Sequence, residues 1–307
     1  MCHATLEPTT FGSAPSIGAD TAARSCYVPT MTRLRASGQT FEGSSLLPIW
    51  ERLDALESQM EEADRWFART TVLSDRRLDG AHRAGIRAYI LASSLIGRAR
   101  ENHLLLVQSF TTPGVNVFPH ATTNIIRPAF EAAARALWIL DGDSTQERRL
   151  RGLRSAWEDH NESRKWSAEL MIPSLMDVVA IEEKQARQIA IAKRYRDDAS
   201  DLGISWSKVT QAMNFRDEIG RVSPLSSDAT LAAFMRAIWR RMSGVQHGMS
   251  YASLLGSHRA EVNVIPGGAE ALLVTDDDSL LTECRASALV QQWAMQTYID
   301  RTTTLRT

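Results

Sequence analysis

The feature that most constrains this chain is the apolar spacing in "TTNIIRPAFEAAARALWIL". Ile126, Phe130, Ala133, Leu137 and Leu140 recur at intervals of three and four, which lines them along one side of an α-helix and commits that side to a core. The spacing predicts a helix over roughly 121–141. The same period appears upstream, where Ile49, Leu53, Leu56, Met60 and Ala63 share a face. "IRAYILASSLIGRARENHLLLVQSF", within 77–111, predicts a long and strongly apolar helix. Two prolines and a glycine in "TTPGVNVFPH" break the pattern between these helices.

The remainder reads as further helices with short breaks. "DGDSTQER" stops the 121–141 helix, and Ser144 or Thr145 offers an N-cap for another over about 145–170. Pro173 opens a helix that becomes highly charged by "EEKQARQIAIAKRYRDDA", and a shorter one follows near 205–219. Ser227 or Asp228 can cap the helix that carries "IWRRMSGVQHGMSYA". "AEVNVIPGGAEALLVTDDD" has the apolar runs and Pro-Gly-Gly turn of a β-hairpin near 260–275, and a last helix is expected over about 279–303. The expected fold is all-α, an antiparallel helical bundle with one small hairpin insertion, because short loops between long amphipathic helices favour antiparallel neighbours. Residues 46–307 read as a single helical domain. Residues 1–45, rich in Ser, Thr, Gly, Pro and Ala without a period, read as a mostly disordered or loosely docked leader.

Composition narrows the function classes. With 307 residues, 44% hydrophobic and 23% charged, the chain has enough material for a core. A formal net charge of −1 supplies no global field to attract nucleic acid or a membrane, so an RNA-binding role requires a local basic patch. Cys2, Cys26 and Cys284 have no metal-ligand spacing, and an odd, sparse count fits a reducing compartment. No apolar run reaches the roughly 20 residues of a bilayer span, and "MCHATLEPTT" lacks the pattern of a signal peptide. The expected location is the cytoplasm, without membrane attachment. No GxGxxG, P-loop, HExxH or Glu-x-x-His motif is present, so no cofactor and no metal are expected.

One stretch has the residue types for chemistry. On a helical wheel of 231–251, Leu231, Phe234, Ile238, Met242 and Val245 form an apolar face, while Arg236, Arg240, Ser243 and His247 gather opposite. A surface helix shows the same division, and so does a helix lining a polar cleft. Gly244 and Gly248 each cost on the order of 1 kcal/mol inside a helix, which points to a close approach or a bend. Arg127, Glu131 and Arg135 lie on the side of their helix away from Phe130. They form an exposed ion ladder, or Glu131 orients Arg240 or His247 from a neighbouring helix. Arg148, Arg149, Arg151 and Arg154, followed by Trp157 and Trp166, are a possible RNA-backbone site with indoles for stacking. They can equally pair with nearby acids such as Glu147 and Glu158.

Arg240 to His247, and Arg241 to His247, satisfy the R-x4–6-H spacing. With the upstream helix of Arg127, Glu131 and Arg135, the segment over about 85–300 resembles the HEPN superfamily of helical bacterial proteins, in particular uncharacterised families ending in an S-x3-H pattern. The resemblance implies a homodimer that cleaves RNA without metal, with a toxin-type role and an antitoxin or other partner protein. It makes His247 the acid/base, Arg240 the phosphate clamp and Ser243 an orienting hydroxyl, with Arg241 the competing clamp. The chemistry is coherent, since an imidazole titrating near neutrality can move protons at the 2′-hydroxyl and leaving oxygen and a guanidinium can hold phosphate oxygens. The residue after the arginine is usually Asn, Asp or His in active members, whereas Arg241 and Met242 follow here. That departure favours the alternative, a non-catalytic helical module for oligomerisation or for binding a partner or nucleotide.

Overall fold

The computed structural model describes residues 43–112, 117, 119–170, 177–249, 251–252, 257–265, 268–275 and 277–305. The described chain is mostly helical. A 3-10 turn, Gly43–Leu46, leads into α1 (Leu47–Arg69), α2 (Asp75–Asp79), α3 (Arg83–Thr111), α4 (Pro119–Leu140) and α5 (Thr145–Leu170). Then come α6 (Val178–Asp201), α7 (Trp206–Thr210), α8 (Phe215–Ile219), α9 (Ser223–Ser226) and α10 (Ala229–Gln246). The backbone of β1 (Ser257–Ile265) pairs antiparallel with β2 (Gly268–Thr275), with a register shift between Arg259 and Glu261, before α11 (Asp277–Thr303). The expected turn residues Pro266 and Gly267, the expected helix opener Pro173 and the leader up to residue 42 lie outside the described residues.

Local chemistry accounts for the helix starts. Ser144 Oγ accepts the Glu147 N–H at 3.1 Å ahead of α5, and Asp228 accepts from Thr230 and Leu231 at 2.9 Å ahead of α10, so each hydroxyl or carboxylate satisfies helix-start donors that have no partner of their own. His82 caps α3 through Nδ1, which accepts from the Ala84 N–H, so the helix expected within 77–111 begins at Arg83 and holds the whole apolar stretch. Pro128 interrupts the hydrogen-bond ladder of α4. It and Asn124 both lie on the exposed side, where water can take the carbonyl left without its N–H.

α4 is the centre of the core. Ile126, Phe130, Ala133, Leu137 and Leu140 are all fully buried, as is Ile139 on another side, so its last two turns are enclosed almost all round by α3, α5, α10 and α11. Cross-contacts fix the directions. Phe110 and Arg100 of α3 meet Trp50 and Asp54 of α1 respectively, and His103 and the Ile96 carbonyl of α3 meet Ser287 and Gln291 of α11, so α3 is antiparallel to both. Thr123 meets Glu283 while Arg301 meets the Leu140 carbonyl, so α4 and α11 run the same way. Arg285 meets Ser45 while Tyr298 meets Asp64, so α1 is parallel to them as well. Trp239 meets Glu131 while Gln246 meets Arg127, so α10 is opposed to α4, and the core sets α1, α4 and α11 against α3 and α10.

A second, smaller core of Ala84, Leu153, Ala199, Ile204 and Val209 joins α3, α5, α6 and α7, with Trp157, Tyr195 and Trp206 packed against it. Gly152 permits the α5–α3 approach, because a Cβ there would lie 2.6 Å from Ala88 Cβ. Between the two cores Arg148, itself 2% exposed, binds Asp79 through Nε at 2.6 Å and through a terminal nitrogen at 2.9 Å, and donates to the Gly142 carbonyl. Asp79 also accepts from Tyr89, and Asp75 joins Arg148 to Arg301. This buried network ties α2, α3, α5 and α11 together.

Candidate functional site

α10 is continuous through Gly244 and stops at a cap built by the chain itself. His247 is the capping residue. Gly248 follows with φ +66, donating to the Val245 carbonyl at 3.0 Å while Met249 donates to the Gly244 carbonyl at 2.8 Å. This double reversal needs a left-handed residue, which explains a glycine at 248. Gly248 therefore lies just beyond the helix rather than inside it. Gly244 is buried, and a Cβ there would lie 2.6 Å from Ala252 Cβ and 2.7 Å from the Tyr251 hydroxyl. The chain folds back onto the helix at Gly244, and the Tyr251 hydroxyl donates to the Arg240 carbonyl at 3.4 Å.

The buried stripe of α10 is Ala232, Met235, Ile238 and Met242. Ile238 and Met242 agree with the wheel, but Phe234 is 47% exposed and Met235 takes its place in the core. Leu231 and Val245 are half-buried at the edges. On the opposite side Arg240 and His247 are exposed and Ser243 is half-buried. A regular helix puts Arg240 and His247 on the same face about two turns, or about 10 Å, apart. Among the described residues no hydrogen bond or ion pair joins their side chains to each other or to a third group. Arg241 points elsewhere, to the buried Glu283 at 2.6 Å and the Ser279 carbonyl at 3.4 Å.

The upstream residues reach α10 without touching Arg240 or His247. Glu131 accepts from Arg127 Nε at 2.8 Å and from Trp239 Nε1 at 2.7 Å, and Arg127 also donates to Gln246. Their contacts on α10 are thus the immediate neighbours of Arg240 and His247. Arg135 turns the other way, to Glu158 of α5 at 3.0 Å. Arg236 stands at the near end of α10, beside α8, where it lines a cleft with Arg216, Asp217, Gly220 and Arg221.

The basic run of α5 makes internal ties, in keeping with the pairing alternative. Arg148 is enclosed by the Asp75–Asp79 network. Arg149 donates to the Leu78 and Asp79 carbonyls, Arg151 to Glu147 and the Trp138 carbonyl, and Arg154 to the Gln211 carbonyl. Carbonyls at the ends of α2 and α4 lie outside the regular helix ladder and accept these guanidiniums, those of Leu78 and Asp79 in addition to the Ala81 and His82 N–H groups. Trp157 sits among His160, Tyr195 and Trp206 rather than offering a stacking face, whereas Trp166 is 60% exposed.

Three buried polar groups of the main core were not anticipated. Glu283, 1% exposed, accepts from Thr123 at 3.0 Å and faces Arg241. Burial pushes its carboxyl up to about 7, against the pull of Arg241 and Thr123. His103 is fully buried between Gln291 Oε1 and Ser287 Oγ, each at 3.0 Å. Gln291 donates its own amide to the Ile96 carbonyl, so its oxygen faces His103 and the imidazole carries its proton on Nδ1. Burial lowers the His103 pKa to about 4. The available signal was the four-residue spacing of Glu283, Ser287 and Gln291 along α11, a polar line inside an otherwise core-facing helix.

His82, Asp198 and Asp201 can bring ligand atoms within 4.8 Å of one another, the described group with the spacing of a cation site. Arg83 already pairs with both carboxylates, Arg87 pairs with Asp198, and His82 Nδ1 is committed to capping α3. No helix among the described residues is long and apolar enough to cross a membrane. Comparison with family models, curated proteins and solved structures finds no match to this chain.

Proposed function

We propose that the chain is a HEPN-like, metal-independent ribonuclease that acts as a homodimer, with the helices forming a bundle of that type and the β1–β2 hairpin as an insertion beside the site. The carrying observation is that an unbroken α10 holds Arg240, Ser243 and His247 on one solvent-facing side. In this reading His247 moves the proton at the 2′-hydroxyl and leaving oxygen, Arg240 holds the phosphate and Ser243 orients it. A second subunit closes the open side of the site, and the exposed Met249 and Tyr251 beside His247 provide apolar surface for that contact. Arg127 and Glu131 act indirectly, by holding Gln246 and Trp239 and hence the end of α10.

The test is RNA cleavage by the purified chain in EDTA, read as formation of 2′,3′-cyclic phosphate ends. His247→Ala is expected to lower cleavage by at least a hundredfold with unchanged helicity, in line with loss of a general acid–base group. Equal cleavage by the variant removes His247 from the mechanism.

A non-catalytic partner-binding or oligomerisation module is the second reading. What favours it is that Glu131 is engaged by Trp239 and Arg127, leaving the exposed His247 imidazole without the orienting group an acid–base residue normally has. This reading expects no turnover by the wild-type chain and a stable complex whose formation depends on the same α10 face.

A further inference from the structure

We propose that the cleft between α8 and α10 binds a phosphate-type anion, held by Arg216, Arg221 and Arg236. The cleft has a volume of about 270 Å³, and its described lining consists of those three arginines with Asp217 and Gly220. The lining thus carries three arginines and a single carboxylate. Among the described residues none of the three makes an ion pair or a side-chain hydrogen bond, in contrast to the arginines of α5, each of which is tied to protein acceptors. Like charges gathered without compensation repel one another, and a bound anion removes that repulsion. Guanidiniums suit phosphate because their paired N–H groups match two of its oxygens.

The neighbouring acids do not cancel this charge. Glu218, next after Asp217, is buried on the other side of α8, where Arg135, Arg154 and Arg151 are its cationic neighbours and burial raises its pKa. Gly220 gives the second, geometric observation. A Cβ at this position would lie 2.5 Å from a terminal nitrogen of Arg236, so the missing side chain is what lets that guanidinium lie against α8. Arg236 is half-buried, which limits the orientations open to its head group before a ligand arrives.

The proposal does not rest on the nuclease reading. Arg236 is eleven residues before His247 on α10, about 16 Å along the axis, and the cleft needs no catalytic group. Its chemistry fits both the phosphate of a small phosphorylated molecule and one phosphate of a polynucleotide backbone.

The test uses the full chain and titrates inorganic phosphate by calorimetry against Arg221→Gln, Arg236→Gln and Gly220→Ala, at constant ionic strength maintained with chloride. Each arginine variant is expected to weaken phosphate binding about tenfold, the usual effect of removing a charged hydrogen-bond donor. Gly220→Ala is expected to weaken it severalfold while leaving the melting temperature near wild type, since only the far end of a flexible side chain must move. The titration reads phosphate binding at the α8–α10 cleft without RNA cleavage, which separates failure here from failure of the nuclease assignment. Competition by a short single-stranded oligonucleotide identifies a backbone phosphate, and its absence identifies a small phosphorylated ligand. No measurable phosphate binding by the wild-type chain, or wild-type affinity in both arginine variants, overturns the proposal.

Discussion

Glu283 and His103 lie on successive turns of the same contact region but store opposite pH dependences. The folded state holds the Glu283 proton up to about 7 against an ordinary value of 4.5, so its contribution to stability is present at low pH and is lost as pH rises through that window. His103 titrates at about 4 rather than 6.5, so its contribution is present above 6.5 and is lost as pH falls toward 4. The two slopes largely cancel between about 4.5 and 6.5. Glu283→Gln can keep both the Thr123 and Arg241 contacts without titrating. Its stability relative to wild type, measured by urea unfolding, is expected to climb by about 3 kcal/mol between pH 4.5 and 7. A flat difference shows that Glu283 stays ionised throughout. These residues were not legible in the sequence because a polar side chain on a helix is ordinarily read as facing water, and only partners 160 or more positions away show that this one does not.

At the scale of elements, the long helices were legible and the small ones less so. The stripe of α4 and the Ser144 cap of α5 stand where periodicity and capping chemistry put them. The stretch near 205–219 is divided into α7 and α8, since four residues between them leave the helical path. On α10, phase was the difficulty, because Phe234 and Met235 are adjacent and comparably apolar. Packing against α4 and α11 selects Met235 for the core, and no local rule decides it. The partners of the arginine run of α5 were hard to read for a related reason. Its acceptors Asp79, Leu78 and Trp138 belong to other elements and come near only after folding. The Asp79–Arg148 tie carries a direct expectation. Asp79→Ala leaves a buried guanidinium deprived of its main partner and is expected to lower stability by about 3–5 kcal/mol, readable as a shifted denaturation midpoint. A loss below about 1 kcal/mol places Asp75 as the dominant partner instead.

At the scale of the molecule, near-neutral charge and an interior closed by its last long helix set the behaviour. α11 contributes Cys284, Val290, Ala294, Met295 and Tyr298 to the core and completes the partners of His103, Thr123 and Asp64. The parallel arrangement of α1, α4 and α11 means that this helix enters a trough whose walls, α1, α3 and α4, lie in the first half of the sequence. A nascent polypeptide therefore emerges with its trough open until residues 277–303 have been made, and its apolar walls are then available to chaperones. Ribosome-bound chains stalled before residue 277 are expected to be cut readily by protease within α3 and α4, while chains that include α11 resist. Equal resistance in both would mean that the earlier helices assemble a self-sufficient nucleus during translation, to which the last one is only added.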